Sequence, residues 1–374
     1  MKNFLVCFIG SCVSSTALLA GGIERTALST SHMYETGNYT EVSYISSDYN
    51  VTAPTLAPNK SVFKDLSDIA IAAKFNVNDN LSFGLSQYNQ AGVSLDYVGA
   101  GGTGTYNGGA LPTGTYDVHG PKVDLNLDAL TFMGRYRINE NFSSIIGIKN
   151  TTVDNATADI FRHASAAITT AAQIAGGTES SYLASVAYER SDIALRVELL
   201  YEQEASFKLA TTGGHPSVGG QSTTTASVPD YKTINFQTGI AEGTLVFGSI
   251  RMADWKNHQI AVAPATQASP TSDFKNSTTN SIGLGRKISD KLSMSLSTKW
   301  ENGSESLGES TLSPTNGYTG YALGAKYTID ALTISGGINY TSFGDKTVSP
   351  TLSTSGKFSG NTVLSYAVKL GINF

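Results

Sequence analysis

The residues best equipped for chemistry in this 374-residue chain are its five histidines, His32, His119, His163, His215 and His258. An imidazole acts as base or ligand only beside suitable partners: a serine and an acid for acyl transfer, or further imidazoles or thiolates for a metal. No two of these histidines share a metal-like spacing, all lie in the N-terminal segment or in loops, and no inward strand position pairs a serine with one of them. Both cysteines, Cys7 and Cys12, fall in the first twenty residues, so nothing after them can form a disulfide, a thiolate site or a cysteine nucleophile. The sequence therefore predicts no enzyme, no metal and no cofactor.

The elements that would have to position any site come next. The opening MKNFLVCFIGSCVSSTALLAGG has a positive start, an apolar run and a small-residue ending, which predicts a signal peptide over 1–20 cleaved after Ala20. Its apolar run is shorter than the roughly 20 residues of a spanning helix. The remainder carries 38 glycines, 15% charged residues and a net charge of −5, with Lys and Arg scattered singly. Such scatter offers no basic stripe for phosphates, which excludes nucleic acid as a partner.

One small unit recurs: KFNVNDNLSFGL, RYRINENFSSIIG, YERSDIALRVELLY, GIAEGTLVFGSI, GRKISDKLSMSLS and KYTIDALTISGGINY. Each alternates apolar and polar residues on both sides of a short polar turn, the pattern of an antiparallel hairpin. The turns fall near 78–80, 139–141, 190–192, 241–243, 289–291 and 329–331; adding strands near 39–49 and 361–374 predicts fourteen. Short turns alternate with long links rich in Gly, Ser, Thr and Pro, and every strand has a polar second face with no helix to cover its apolar one. Both features predict a closed transmembrane β-barrel over 39–374, with lipid outside and both termini in the periplasm of a Gram-negative cell. In the final strand Tyr366, Val368, Leu370, Ile372 and Phe374 share the apolar face, and this ending resembles the signal by which outer-membrane barrels reach their insertion machinery.

Between signal peptide and first strand lies Gly21–Asn38, too long for a tether and too short for a domain. Here the chain resembles the FadL family of outer-membrane transporters for long-chain fatty acids and other hydrophobic compounds. The resemblance rests on GGIERTALSTSHMYETGNYTEVSY, on SQYNQAGVSLDY after the first turn, on fourteen strands and on the terminal Phe. It implies a monomeric barrel plugged by an N-terminal hatch over 21–38, apolar substrate captured among loops, and sideways release through a kink in the third strand. The family's Asn-Pro-Ala hatch motif is absent, with MYETGNY in its place. Within the hatch, Ile23, Leu28, Met33 and Tyr34 are candidates to touch an apolar ligand. Glu24 and Arg25 are candidates to pair with Lys74, Arg135 or Glu198, or Arg25 to hold a substrate carboxylate.

In the third strand, constant phase would turn Leu81, Phe83, Leu85, Ala91, Val93, Leu95 and Tyr97 to lipid, and Gln87 and Asn89 with them. Buried amides without partners are costly, so a bulge is expected across Gln87, Tyr88, Asn89, Gln90 and Gly92, the candidate lateral opening. Within the link 154–179, the stretch DNATADIFRHASAAITTAAQIAGG reads as a short helix capped by Asp154 or Asn155, its apolar stripe including Phe161 and Ile168. That stripe would cover the barrel mouth or line a docking groove, with Arg162 and His163 near a carboxylate. The expected function is passive transport of hydrophobic molecules; the competing classes are a small-solute porin and an adhesive or structural barrel.

Overall fold

In a computed structural model of the chain, the residues described are 21–97, 99–101, 105–106, 116–117, 122–162, 169–213, 222–263, 270–304, 306–308, 310–349 and 355–374. The expected signal peptide, 1–20, lies outside them.

Fourteen strands form one antiparallel wall: β1 (Tyr39–Asn50), β2 (Leu66–Asn76), β3 (Leu81–Asp96), β4 (Lys122–Arg137), β5 (Phe142–Val153), β6 (Gly177–Arg190), β7 (Leu195–Glu202), β8 (Tyr231–Ala241), β9 (Thr244–Ala253), β10 (Ser277–Lys287), β11 (Leu292–Glu301), β12 (Tyr318–Ile329), β13 (Leu332–Phe343) and β14 (Thr362–Asn373). The wall closes because β14 pairs with β1 from Tyr39↔Asn373 to Asn50↔Thr362. Closure removes the free edges of the first and last strands, the condition for a sheet to stand in hydrocarbon. All six expected hairpins form, and the tightest suit their residues: Gly243, and Asp330 at φ 52, supply the left-handed conformation that two-residue turns need.

The alternation divides lipid face from lumen face as period 2 requires. Ile146, Tyr182, Leu296 and Tyr321 stand outward and exposed, while Lys149, Ser185, Glu198 and Arg251 point inward and are buried. Tyr366, Val368, Leu370, Ile372 and Phe374 all lie on the outward face. No helix among the described residues is long and apolar enough to cross a membrane; strands do the crossing.

Two expectations need correction. The link 154–179 is not helical: it forms a hairpin of Ala156–Arg162 and Thr169–Ile174. Its strands find partners outside themselves, Thr157–Asp159 on the end of β4 and Ala172–Ile174 on Thr211–Gly213, so tertiary pairing overrides alanine's helix propensity. Ala164, Ala167 and Ile168 lie outside the described residues, as does the side chain of Phe161. In β3, Ala91, Val93, Leu95 and Tyr97 do not face lipid; each is fully buried in an apolar cluster at the long-loop end. After β7, the long link before β8 is itself structured, as a second hairpin of Ala205–Gly213 with Ser222–Val228.

Candidate functional site

The lumen is occupied by the N-terminal segment, which is tied to the wall along its length. At the long-loop end the Lys275 amide donates to the Gly21 carbonyl at 3.0 Å. Gly22 rests against the Trp255 indole, where a Cβ would stand only 2.2 Å from ring carbons. Ile23, 2% exposed, joins the apolar cluster with Trp255, Val93 and Ile260. Glu24 then begins a buried relay of alternating charge: Arg251 Nη2 lies 2.6 Å from Glu24, Arg251 Nη1 2.8 Å from Glu202, and Lys149 Nζ 2.9 Å from Glu202. The Arg251 guanidinium also stacks 3.8 Å over the Tyr231 ring. Two anions and two cations cancel, which is how four charges can be held away from water.

Further along, Ser31–Tyr34 makes one 3-10 turn. Glu198 accepts from Thr30 Oγ1 at 2.7 Å, Tyr34 OH at 3.0 Å, Ser185 Oγ at 2.9 Å and Asn235 Nδ2 at 3.0 Å. The Tyr34 ring lies between Arg135 at 4.3 Å and Arg196 at 4.0 Å. Met33 is fully buried with Leu28 against Tyr88, Met133, Ile145 and Leu183, and a Cβ at Gly84 would stand 2.1 Å from its sulfur. Arg135 and Lys74 hold the carbonyls of Met33 and Glu35. The segment ends by pairing Asn38 with Phe374 through two backbone hydrogen bonds of 3.2 and 3.0 Å.

β3 departs from the wall beside this segment. It pairs with β2 only from Asn76↔Ser82 to Ile71↔Gln87. Beyond that point Leu66–Ala70 of β2 are paired with β1 alone, while the register of β3 on β4 shifts between Asn89 and Ala91, leaving Gln90 as the extra residue of a bulge. The N-terminal segment takes the place of β2: Arg25 N donates to the Gln90 carbonyl at 2.9 Å, Gly92 N donates to the Ile23 carbonyl at 2.8 Å, and Glu24 bridges Ala91. The gap closes again above, where Lys64 N donates to the Ser94 carbonyl and Asp96 N to the Val62 carbonyl.

The bulge re-aims the amides as expected for Asn89 but not for Gln87. Asn89 turns inward, accepting from Arg25 Nη1 at 3.1 Å and donating to Asp128 at 2.9 Å, whereas Gln87 stays exposed. Arg25 also donates to Asn126 at 3.0 Å, so its direct partners are two amide oxygens and not Glu198. A Cβ at Gly92 would meet the Leu125 carbonyl at 2.4 Å and the Arg25 guanidinium at 2.8 Å; only glycine admits that approach. Burial lowers the proton affinity of Arg25, which Asp68, Tyr49, Asp124 and Asp128 oppose.

Two spaces adjoin the segment, and a third lies above it under the loops. A cavity of about 160 Å³ lies between Glu24–Ser31 and the wall residues Glu198, Asn235, Phe247, Arg251 and Tyr318; its lining is as polar as it is apolar. A pocket of about 60 Å³ sits behind the gap, between His32, Ser43, Ala70, Ser86 and Gln87. A third, about 20 Å³ and wholly apolar in exposed lining, lies under the loops among Val93, Leu125, Ile174, Leu209, Ile260 and Leu312. His32, 1% exposed, has its pKa pushed down to about 4, chiefly by burial; nearby Glu41 opposes the shift and Lys369 and Lys74 add to it. Of the other histidines only His258 is among the described residues.

A closed wall, an outward apolar belt and a lumen filled by its own N-terminus define a β-barrel of the outer-membrane type. In fold the chain is similar to a Pseudomonas aeruginosa FadL homologue, at 13% identity over 92% of each chain with a TM-score of 0.68. It is similar also to the Pseudomonas putida toluene transporter TodX, at 12% identity over 91% of each chain and a TM-score of 0.60. The Ralstonia pickettii toluene transporter TbuX matches at 8% identity over 94% of this chain and 96% of its own, with a TM-score of 0.59. No protein-family model and no curated protein sequence matches the chain. The register shift of β3 falls inside the Gln87–Gly92 stretch that the sequence singles out, and the N-terminal segment fills the lumen as the sequence implies. Sequence reasoning missed the relay through Arg251, Glu202 and Lys149, whose only local signal is charge at inward strand positions.

Proposed function

We propose that this barrel moves hydrophobic molecules passively across the outer membrane and releases them sideways between β2 and β3. The observation that carries the reading is the exchange of partners by β3: above Ile71↔Gln87 it leaves β2 and pairs with the N-terminal segment. A strand that gives up a neighbour leaves a gap in the wall, and in hydrocarbon an unpaired edge persists only where it has a use. Val93, on the bulged strand, lines the apolar space under the loops, while Ala70 and Gln87 border the pocket at the gap. Loops thus offer apolar capture, and the gap offers an exit toward lipid. The similar folds of toluene transporters and a FadL homologue support a hydrophobic cargo, either long-chain fatty acids or small aromatics. No reaction and no nucleotide is involved.

In this reading Gly21–Asn38 is the hatch, Ile23 and Phe161 lie on the capture side, and Arg25, seated against Gly92, marks the inner sill of the gap. Leu28, Met33 and Tyr34 hold the hatch down. The filled lumen disfavours the porin reading, since a buried charge relay closes the axial path. The final strand's apolar face, ending in Phe374, serves as the sorting signal for the insertion machinery. The barrel works as a monomer, with long loops outside the cell.

The test is uptake of labelled oleate and toluene by cells carrying the protein with Ala70→Cys and Tyr88→Cys, the next pair beyond the Ile71↔Gln87 register. Oxidation should halt uptake and a reductant should restore it. Undiminished uptake with the cross-link verified would remove the lateral route; no uptake above cells lacking the protein would remove transport.

A further inference from the structure

At the long-loop end, β8 begins at Tyr231 and β9 ends at Ala253, and these two residues are partners in the ladder. The next position outward therefore sets Asp230 opposite Asp254. Two carboxylates facing each other across paired strands repel and weaken the pair; Lys232 Nζ, 3.5 Å from Asp230 Oδ2, offsets this at Asp230. The turn Trp255–Asn257 folds the chain back, and His258, 9% exposed, joins them: one ligand atom from each of Asp230, Asp254 and His258 lies within 4.8 Å of the others. Asn257 Nδ2 donates to Asp254 Oδ2 at 2.7 Å, yet Asp254 Oδ1 is sealed from solvent and has no hydrogen-bond partner. A buried carboxylate oxygen without a donor is costly, and a cation satisfies it outright.

We propose that Asp230, Asp254 and His258 form a site for a divalent transition-metal ion such as Zn²⁺. His258 Nδ1 is bonded to Ser227 Oγ at 3.1 Å, which fixes the ring and leaves Nε2 as the ligand nitrogen, the usual second contact of a metal-bound imidazole. Glu204 Oε2 lies 3.4 Å from that Nε2, at the exposed rim of the site. One imidazole with carboxylates suits zinc or its neighbours, while calcium takes oxygen ligands alone. The ion fastens the link 203–230 to the link 254–276, and both contribute to the apolar cluster over the lumen through Leu209, Ala226, Ile260 and Val262. It is thus a clip on the roof of the barrel, independent of what the barrel carries.

The experiment is calorimetric titration of the detergent-solubilised, EDTA-stripped protein with ZnCl2 and, separately, CaCl2. It is repeated on Asp254→Asn, His258→Gln and Ser227→Ala, each checked for the heat-modifiable gel shift of a folded barrel. One Zn²⁺ per chain is expected, lost in the first two variants and weakened about tenfold in the third, with no comparable binding of Ca²⁺. In the unaltered protein, Zn²⁺ should also slow tryptic cleavage at Lys256, which is exposed in the clipped turn. Equal zinc affinity in all four proteins, absence of binding up to millimolar ZnCl2, or preference for Ca²⁺ would each overturn the proposal.

Discussion

At the scale of single residues the lumen is governed by charges that have been paired rather than removed. Arg251 is the clearest case, since it contacts both Glu24 and Glu202 and lies over Tyr231. Arg251→Met leaves buried Glu202 with Lys149 and half-buried Glu24 without its bidentate partner, and should destabilise the barrel by about 3–5 kcal/mol, read as a lower temperature for the gel shift of the folded form. Adding Glu24→Gln should recover part of that loss. His32 makes a pH prediction. Its pKa is near 4 when seated, against 6.5 when exposed, so protonation favours the unseated segment. The stability of seating is whole above the exposed value and falls by about 1.4 kcal/mol per pH unit as pH drops from there toward 4. Amide protection factors across 29–36, taken relative to the intrinsic exchange rate at each pH, should fall between pH 7 and pH 5, and His32→Gln should flatten the response.

At the scale of elements, β3 shows what pattern reading can and cannot reach. Two amides in an otherwise apolar phase pointed to a bulge near Gln90, and the register does shift there. The pattern could not say which amide would turn, because Asn89 is drawn inward by Arg25, Asn126 and Asp128 on other elements. Deleting Gln90 restores a continuous phase. It should let β3 rejoin β2 beyond Ile71 and reduce uptake of both oleate and toluene while leaving the amount of folded barrel unchanged, which immunoblotting of outer membranes would check. The 154–179 hairpin teaches the reverse lesson. Alanine at helical spacing predicts a helix only where nothing competes, and here β4 and the neighbouring hairpin offer ladders to both strands.

At the scale of the whole molecule, the wall is a container and the N-terminal segment is its content. The segment meets β2, β3, β4, β7 and β9, so its seating couples the two ends of the barrel. The largest cavity beside it is half polar rather than the continuous apolar pocket a purely hydrocarbon path would favour, and apolar space is concentrated under the loops. Removing Gly21–Asn38 should therefore open an axial aqueous route. In planar bilayers the full-length barrel should conduct ions poorly and the truncated one steadily; equal conductance would mean that the segment does not seal the lumen.

The sequence by itself determined the wall: strand number, turn positions, the outward belt and the presence of an N-terminal insert. Each of these is written in residues a few positions apart, through the two-residue period and the turn chemistry. Only the tertiary structure decided which charges meet, which amide turns inward, and that Asp230, Asp254 and His258 converge. Glu24 and Arg251 stand 227 positions apart, and Thr30 and Glu198 stand 168 apart. Closing a sheet into a cylinder brings such residues together through registers on fourteen strands, and local pattern holds no record of what lies across the lumen.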